Sequence, residues 1–297
     1  MSAPETWSLG RLLTWTTDYL RQHGADSPRL DAEVLLAFAV GCQRIQLYTR
    51  FDEPAKDEVR TKFRGLVKER AEGKPVAYLV GKREFYSLPF RVTPDVLIPR
   101  PETEFVVIAL ADRIKQRLTT SAASEPLRIV DVGTGSGILA ICAAKESSSA
   151  KITAIDISLA ALEVAKQNAA EHKVAERIEF LDGDLLAPIP AEPTWDFVLS
   201  NPPYLAEHEL AETQRDVRDF EPRHALVAGP TGDEVIARLI PQAAERLKPG
   251  GWFLLEISPQ LEARVRELLT LDHRWEAIEV TKDLGQRARV VQARRKS

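Results

Sequence analysis

The pattern of apolar and polar positions divides the chain into three parts. From residue 7 to residue 72 apolar residues recur every three or four positions, which is the spacing of amphipathic helices. Between residues 74 and 100 Val, Tyr and Phe alternate with charged residues and are interrupted by Gly and Pro, which is typical of a β-hairpin. From residue 128 short apolar runs alternate with helical segments, which predicts an α/β fold with a doubly wound, mainly parallel sheet. The predicted domains are a helical bundle (1–73), a β-hairpin linker (74–100) and an α/β domain (101–297).

Two features refine the prediction for the α/β domain. The last two apolar runs, residues 275–280 and 288–295, are separated by "TKDLGQR" instead of a helical segment, so we expect an antiparallel pair at the edge of the sheet. Pro101 is followed by acidic residues, and both favour the first turn of a helix. A helix should therefore begin at Pro101, and residues 121–126 should form the loop after it.

Composition and charge narrow the class of protein. The 297 residues are 44% hydrophobic, which is enough to bury one large core or two modest ones. Lys and Arg number 40 and Asp and Glu 44, so the net charge of -4 gives no overall positive field for stable nucleic acid binding. The first residues lack the pattern of a signal peptide, and no apolar run approaches the ~18 residues of a membrane span. We expect a soluble, cytoplasmic protein that does not bind membranes.

Cysteine and histidine positions indicate neither a disulfide nor a metal site. Cys42 and Cys142 stand alone in apolar surroundings, which favours two reduced thiols packed in the core. The five histidines lack the spacing of metal ligands. The sequence therefore predicts no bound metal.

The third helical segment of the bundle carries a row of basic residues. They are spaced four apart and so share one face, opposite the apolar one: Lys56, Arg60, Arg64 and Lys68. A solvated helix face is the favoured interpretation, and a docking surface for RNA or an RNA-bound partner is the alternative. The sequence leaves both open.

A glycine-rich loop follows the first strand of the α/β domain. In "DVGTGSG" three glycines at alternate positions permit a tight turn and let a ligand approach the backbone at the start of a helix. The loop residues are Gly133, Thr134, Gly135, Ser136 and Gly137. A dinucleotide-binding fingerprint would place its third glycine one position later, where this chain has Ile138. The spacing instead resembles the first motif of class I S-adenosylmethionine methyltransferases.

Two acidic residues end the next two strands and should face the same crevice, since ligands of open α/β sheets lie across such strand ends. Asp156 can accept hydrogen bonds from both hydroxyls of a ribose; its alternative role is to cap the next helix, although Ser158 is available for that. Asp184 lies where the methyltransferases that this loop resembles contact the adenine of the donor, and its alternative role is a solvent-exposed turn.

The stretch "SNPPY" follows the fourth strand and enters the same crevice. An amide or aromatic NH2 group is a poor nucleophile because its lone pair is delocalised, so it must be oriented. The side-chain carbonyl of Asn201 and the backbone carbonyl of Pro202 can each accept one N–H and direct the lone pair at a methyl donor. Tyr204 can stack on the planar group, and Pro203 stiffens the turn. The motif predicts an NH2 clamp and leaves adenine and glutamine open as substrates.

Longer motifs resemble one family closely, the HemK/PrmC protein-glutamine N5-methyltransferases of class 1 peptide chain release factors. The resemblance covers nearly the whole chain. It rests on "SPRLDAEVLLA" in the bundle, "PVAYLVGKREFYSLPFRVTPDVLIPRPETE" in the linker, and "DVGTGSG", "SNPPY", "DVRDFEPRHALVAG" and "GGWFLLEIS" in the α/β domain. Of these, "LIPRPETE" and "FEPRHAL" are specific to the family rather than to methyltransferases in general.

The resemblance implies a Rossmann-like class I methyltransferase with a seven-stranded sheet that binds S-adenosyl-L-methionine. The glycine loop would surround the amino acid portion of the donor, Asp156 its ribose and Asp184 its adenine. Several relatives have an aromatic residue at the position of Leu185, so here an aliphatic side chain would pack on the adenine. Asn201, Pro202, Pro203 and Tyr204 would hold the glutamine of a Gly-Gly-Gln loop, Asn201 lying between donor and substrate. The bundle would contact the release factor, and a monomer is expected.

Two alternatives remain, a second kind of methyltransferase and a scaffold on translation factors, which belongs to a different class. An adenine N6 methyltransferase of DNA or RNA would be favoured by a basic catalytic domain and a target-recognition insertion, and the sequence shows neither. A donor-binding scaffold without turnover would not need every part that the chemistry needs, yet the glycine loop, Asp156 and the "NPPY" motif are all present.

Overall fold

The computed structural model describes residues 7–120 and 125–297. Most of the loop predicted at 121–126 lies outside these residues. The chain divides into two compact units. The helical unit comprises the residues up to Lys82 together with Gln214–Phe220, and the sheet unit comprises Arg83–Thr213 and Glu221–Ser297.

The α-helices of the described residues are, in chain order, α1 (Leu9–Gln22), α2 (Pro28–Val40), α3 (Gln46–Thr49), α4 (Asp57–Ala71), α5 (Val76–Val80), α6 (Glu104–Thr120), α7 (Ile138–Glu146), α8 (Leu159–Glu171), α9 (Arg215–Phe220), α10 (Glu234–Arg246) and α11 (Glu262–Leu271). The strands are β1 (Lys82–Phe85), β2 (Leu88–Arg91), β3 (Arg128–Val132), β4 (Lys151–Asp156), β5 (Ile178–Asp182), β6 (Trp195–Ser200), β7 (Leu205–Ala206), β8 (Val227–Gly229), β9 (Leu247–Glu256), β10 (Trp275–Lys282) and β11 (Ala288–Arg295). A 3-10 turn over Pro101–Thr103 leads into α6, so the helix expected at Pro101 begins with this turn.

The helical unit is built from amphipathic helices with defined ends. Ser8 caps α1 by accepting the backbone N–H of Arg11 at 3.2 Å, and Pro28 occupies the first turn of α2. α2 ends at Gly41 in the left-handed conformation. The core consists of leucines and aromatic residues with almost no exposed surface: Leu13, Leu20, Leu35, Leu36, Leu47 and Phe63. Cys42 is half-buried beside this core, so the prediction of two buried thiols is right for Cys142 only.

The sheet unit contains a seven-stranded sheet in the order β10-β11-β9-β6-β3-β4-β5. All neighbouring strands are parallel except β11, which pairs antiparallel with both β9 and β10. The predicted mainly parallel sheet with an antiparallel pair at its edge is confirmed. Because β4 and β5 follow β3 on one side whereas β6 lies on the other, the strand order reverses between β3 and β6. Ligands of such sheets bind at this point, beyond the carboxyl ends of the strands.

Two apolar layers cover the faces of the sheet, and alternate residues of one strand enter opposite layers. Ile129 of β3 belongs to the layer under α6 and α7, whereas Val130 belongs to the layer under α10. The β1–β2 hairpin contributes Phe85 and Phe90 to the first layer, each at most 2% exposed. The hairpin is therefore part of the core of the sheet unit. The range predicted as linker also contains helix α5, ahead of the hairpin.

A single buried amide connects the hairpin to the glycine loop. Asn168 of α8 accepts the backbone N–H of Arg91 at 2.7 Å and donates to the carbonyl oxygens of Arg91 and Ser136 at 3.0 and 2.8 Å. All of its hydrogen-bonding groups are thus used inside the protein, where an unsatisfied amide would be costly. This contact fixes the backbone of the glycine loop from behind.

The helices found between residues 7 and 120 and between 125 and 297 are all too short or too polar to cross a membrane.

Candidate functional site

A cavity of about 290 Å³ lies at the carboxyl ends of β3, β4, β5 and β6. Its walls include most of the residues predicted from the sequence: Gly133, Thr134, Gly135, Ser136, Asp156, Asp184, Leu185, Asn201 and Pro203. Of the predicted residues, all of which the structure describes, Gly137, Pro202 and Tyr204 are not part of these walls. The strand order thus brings four separate loops to one cavity.

The glycine loop has the backbone conformation that its composition predicts. Gly133 donates its N–H to the carbonyl of Ile155 at 2.8 Å, which attaches the loop to β4. Gly135 and Gly137 have φ angles of 55° and 85°, a left-handed region where side chains are strained. A Cβ on Gly133 would have the backbone oxygen of Asn201 as its nearest neighbour, at 4.0 Å. The loop and the Asn201 backbone therefore face each other across a narrow gap.

Asp131, two residues before the loop, is a further wall residue that sequence analysis did not select. Its Oδ2 accepts the Thr134 hydroxyl at 2.6 Å and the Ala140 N–H at 3.1 Å, whereas Oδ1 is buried without a partner among the described residues. Complete burial raises its pKa to about 7, and the bond from Thr134 opposes this shift. An unsatisfied buried acceptor on a cavity wall is a suitable partner for a cationic or N–H group of a ligand.

Asp156 is placed by two backbone N–H groups. Oδ2 accepts from Gly135 at 2.8 Å and Oδ1 from Ser158 at 2.9 Å. Ser158 itself caps α8 by accepting the N–H of Ala161 at 3.2 Å. The capping task therefore belongs to Ser158. Each carboxylate oxygen can still accept a further hydrogen bond from a ligand.

Asp184 and Leu185 close the cavity at the end of β5. Asp184 forms an ion pair with Arg238 of α10, and both side chains are about half exposed. Leu185 has a φ of 53°, which is unusual for a branched residue, and it packs against the layer under α10. This ion pair links the loop after β5 to helix α10.

Asn201 lies at the end of β6, and its amide is held from the side of the "PETE" segment. The Nδ2 group donates to the hydroxyl of Thr103 at 3.1 Å, and Thr103 is completely buried. Ser200 donates its hydroxyl to the carbonyl of Val132 at 2.8 Å, which ties the ends of β6 and β3 together. With Nδ2 engaged, Oδ1 is the atom of the Asn201 amide that remains to accept a hydrogen bond.

The three residues after Asn201 differ in position. Pro202 is buried, and Pro203 is half-buried in the cavity wall. Tyr204 packs against the layer under α10, with its hydroxyl 3.5 Å from Oε1 of Glu256, the outer limit of a hydrogen bond. Burial raises the pKa of Tyr204, so its hydroxyl stays protonated. The stacking role predicted for Tyr204 stays a prediction.

An ion pair connects "LIPRPETE" and "FEPRHAL", the two motifs that are specific to the family that this sequence resembles. Arg100 of "LIPRPETE" lies on the cavity wall and donates to Oε1 of Glu221 at 2.5 Å. Glu221 of "FEPRHAL" is buried, and its Oε2 accepts the N–H of Ile98 at 3.1 Å. A charge-assisted pair of this kind holds the chain beside Asn201 in one conformation.

Sequence analysis missed two buried polar residues behind Asn201, Thr103 and Glu256. Both are at most 2% exposed. A detectable sign was present for Glu256 only, because a single acid interrupts the apolar run "WFLLEI" of a strand that must be buried. Nothing in the sequence distinguishes Thr103 from an ordinary residue in the first turn of a helix.

The helical unit has a cavity of its own, of about 460 Å³. Three of the four predicted basic residues line it, Arg60, Arg64 and Lys68, together with the aromatic residues Trp7, Trp15 and Tyr19. The basic face thus borders an aromatic groove. Within the parts of the chain that the structure covers, no group of three or more His, Cys, Asp or Glu side chains is arranged to hold a metal ion.

Comparison with protein families gives two matches. Residues 11–81 match the PrmC N-terminal domain, and residues 112–218 match the methyltransferase small domain.

Curated proteins similar to this chain are named release factor glutamine methyltransferases. The one from Rhodopirellula baltica is 46% identical, with 96% of this chain and 95% of that protein aligned. Those from Koribacter versatilis and Bacillus subtilis are 39% and 36% identical, over 93% and 94% of this chain and 95% of each relative.

Among solved structures, the catalytic domain of hMettl16 in complex with an RNA hairpin has a TM-score of 0.57 at 17% identity, with 78% of this chain and 81% of that chain aligned. The 16S rRNA N2 G1207 methyltransferase RsmC of T. thermophilus, in complex with AdoMet and guanosine, has a TM-score of 0.52 at 18% identity, with 72% of this chain and 50% of that chain aligned. Together with the matched methyltransferase domain, these similarities confirm the predicted class I methyltransferase fold.

Proposed function

This chain belongs to the release factor glutamine methyltransferase family, and we propose that it methylates the side-chain N5 of the glutamine in the Gly-Gly-Gln loop of class 1 peptide chain release factors. The methyl donor is S-adenosyl-L-methionine. The observation that carries this proposal is the position of Asn201, which faces the glycine loop in the cavity and has its amide nitrogen engaged by Thr103. A clamp for an NH2 group thereby lies directly beside a binding site for the donor.

The walls of the cavity suit S-adenosylmethionine. Gly135 leaves open space where a side chain would project, so a ligand can approach the backbone. The free Oδ1 of Asp131 can accept a hydrogen bond from the amino group of the donor, and Asp156 retains acceptor capacity for its ribose. Asp184 and Leu185 border the place for its adenine. When bound, the donor supplies an electrophilic methyl group on its sulfonium centre.

Asn201 and Pro202 orient the substrate amide. The nitrogen lone pair of a glutamine side chain is delocalised into its carbonyl group, so reaction requires both N–H groups to be held. Oδ1 of Asn201 accepts one N–H and the backbone carbonyl of Pro202 accepts the other, which fixes the amide plane so that the lone pair, perpendicular to it, faces the methyl group. The N–CH3 bond would form as the S–CH3 bond of the donor breaks and S-adenosylhomocysteine leaves, and the nitrogen would then lose one of its two N–H protons to solvent. Both acceptors stabilise the positive charge that develops on nitrogen before that proton is lost. Pro203 restricts the backbone of the turn, so these acceptors stay in place.

The direct test is mass spectrometry of a purified class 1 release factor after incubation with the enzyme and S-adenosylmethionine. We expect one added methyl group on the Gly-Gly-Gln glutamine with the wild-type enzyme and none with Asn201→Ala. Calorimetry should show that the variant still binds S-adenosylmethionine, because the glycine loop and Asp156 are unchanged. Methyl transfer to DNA or RNA instead of the release factor would refute the proposal.

Four further properties belong to the proposal. The enzyme acts in the cytoplasm, as a monomer and without stable nucleic acid binding; the net charge of -4 supports the last of these properties. The helical unit contacts the release factor, and the aromatic groove bordered by Arg60, Arg64 and Lys68 provides a suitable surface.

A further inference from the structure

The loop that follows β5, residues 183–187, has a fixed backbone path at one end of the ligand cavity. Its first residue, Gly183, donates its N–H to the carbonyl of Asp156 at 3.0 Å, and a Cβ on Gly183 would lie only 2.0 Å from Cγ of Pro188. The backbone beside Asp184 is therefore held in place. The carboxylate of Asp184 is about half exposed, however, and a side chain of this kind can adopt several rotamers unless a partner holds it.

Helix α10 supplies such a partner. Arg238 and Gln242 are four residues apart and so lie on the same face of this helix. Oε1 of Gln242 accepts the backbone N–H of Leu186 at 3.1 Å, and the guanidinium group of Arg238 donates to Oδ2 of Asp184. The helix thus contacts the loop after β5 twice, once at its backbone and once at the Asp184 side chain.

The ion pair of Asp184 and Arg238 is part of the ligand cavity. Both side chains belong to the cavity wall, and each is about half exposed. An ion pair with this exposure contributes little to the free energy of unfolding. Since the pair uses Oδ2 of Asp184, Oδ1 can accept a hydrogen bond from a ligand. The position of the pair therefore indicates a role in ligand recognition rather than in folding.

A carboxylate that is held in one orientation can distinguish two kinds of purine. It only accepts hydrogen bonds, so it suits the 6-amino group of adenine, which donates them. Hypoxanthine has a carbonyl oxygen at the same position, so that two acceptors would face each other. A site rejects such an analogue strongly when its own polar group cannot turn away and stays without a partner.

We propose that Arg238 is a positioning residue that fixes the Asp184 carboxylate with Oδ1 directed to the adenine amino group, and that it thereby makes the donor site selective for adenine. The inference rests on the proposed function, because it requires S-adenosylmethionine to bind in this cavity with its adenine beside Asp184. Without Arg238 the carboxylate can rotate toward solvent. The adenine amino group would then lose its acceptor, and a carbonyl oxygen at the same position would no longer meet a fixed one.

The test compares the binding of two ligands by calorimetry. S-adenosylhomocysteine carries the 6-amino group, and S-inosylhomocysteine carries a carbonyl oxygen in its place. We expect the wild-type protein to bind the adenosyl compound at least tenfold more tightly than the inosyl compound. In Arg238→Ala this ratio should fall at least fivefold, because the Kd for the adenosyl compound rises while the Kd for the inosyl compound stays within twofold. Asp184→Ala should show the same loss of selectivity.

Matched variants separate positioning from a general loss of structure. Arg238→Lys retains a cation that can pair with Asp184 and should keep most of the selectivity. When Asp184→Ala and Arg238→Ala are combined, the ratio should be no lower than in Asp184→Ala alone, because Arg238 acts through Asp184. Arg266→Ala removes another half-exposed arginine, which pairs with Glu262 of α11 at 3.9 Å and does not line the cavity, and it should keep the wild-type ratio.

These measurements use binding alone, so they separate the inference from the proposed function. If the wild-type protein methylates no release factor but loses its selectivity for the adenosyl compound in Arg238→Ala, the proposed function fails and the inference stands. If the wild-type protein binds both compounds equally, if Arg238→Ala keeps the wild-type ratio, or if Arg238→Ala weakens the binding of both compounds equally, the inference is wrong.

Discussion

Replacing glycines of the ligand loop by alanine should separate stability from binding, because two glycines of the loop have different surroundings. Gly137 precedes α7, and an added Cβ would lie 3.1 Å from Cβ and 3.3 Å from Cα of Ala165 on α8, and 3.2 Å from Cδ1 of Ile141. A Cβ on Gly135 would have no neighbour within 4 Å. Both positions have positive φ, so they share a backbone cost and differ in packing.

The expected magnitudes follow from these distances. A left-handed conformation costs an alanine roughly 1–2 kcal/mol, and this applies to both variants. Overpacking against a backbone atom that cannot rotate away adds about 1–3 kcal/mol, and this applies to Gly137→Ala only. The loss of chain entropy in the unfolded state, about 0.4–1 kcal/mol in favour of alanine, cancels in the comparison. Gly137→Ala should therefore be less stable than Gly135→Ala by about 1–3 kcal/mol.

The affinity for S-adenosylmethionine should fall more in Gly135→Ala than in Gly137→Ala. Gly135 lines the cavity and its Cβ would project into open space, so Gly135→Ala should lower the affinity for S-adenosylmethionine more than tenfold. Gly137 does not line the cavity, and the fraction of Gly137→Ala that is folded should bind the donor with nearly normal affinity. Urea denaturation gives the free energies of unfolding, and calorimetry at a temperature where both variants are folded gives the Kd values.

The decisive result is that Gly137→Ala is the less stable variant, whereas Gly135→Ala is the variant with the lower affinity for the donor. Equal destabilisation of both variants would show that α7 moves away from α8 at no cost, which contradicts the close packing inferred at Gly137. Unchanged donor affinity in Gly135→Ala would show that the donor does not approach this loop, and would remove the glycine loop from the proposed site.

Two other predictions concern stability. The two-residue turn between β1 and β2, Tyr86 and Ser87, has φ angles of 50° and 59°, so Ser87→Gly should raise the free energy of unfolding by about 1 kcal/mol, whereas Ser87→Ala should give no gain. Desolvation raises the pKa of Glu256 from its ordinary value of 4.5 to about 7, so the folded protein binds this proton more tightly than the unfolded chain. The resulting stabilisation is complete below pH 4.5 and is lost as pH rises to 7; at 1.36 kcal/mol per pH unit it amounts to about 3 kcal/mol. Unfolding measured between pH 4.5 and 7.5 should show this dependence in wild type and less of it in Glu256→Gln, and identical slopes would contradict the assignment.

Local patterns were sufficient to predict the sheet and the loops that end its strands. Buried strands alternate with amphipathic helices so regularly that the pattern from residue 128 onwards predicts a mainly parallel sheet with an antiparallel pair at its edge, as observed. The carboxyl ends of parallel strands lie at one edge of the sheet. Predicting which strand each loop follows was therefore enough to predict that the loops lie close together.

Features that depend on contacts distant in sequence were not predicted. The hairpin was expected to be a linker, yet Phe85, Phe90 and the bonds to Asn168 make it part of the sheet unit. The sequence of its turn, Tyr86-Ser87, is not of the Asn-Gly type that signals a hairpin. Other contacts hold this turn, such as the hydrogen bond from the backbone N–H of Tyr86 to Glu104 at 2.9 Å. Residues 214–220 cluster with the helical unit although they lie far along the chain.

The hydrogen bond between Asn201 and Thr103 shows how much a motif can specify. "SNPPY" supplies an amide, a carbonyl and a rigid turn, but an asparagine amide has a donor end and an acceptor end of nearly the same shape. Which neighbour this amide binds is decided by groups outside the motif, here the Thr103 hydroxyl from the turn before α6. A protein that keeps "NPPY" but places an apolar residue at the position of Thr103 would have the same motif without this hydrogen bond. The environment of the Asn201 amide is therefore a property of the folded sheet unit, and the tetrapeptide alone does not determine it.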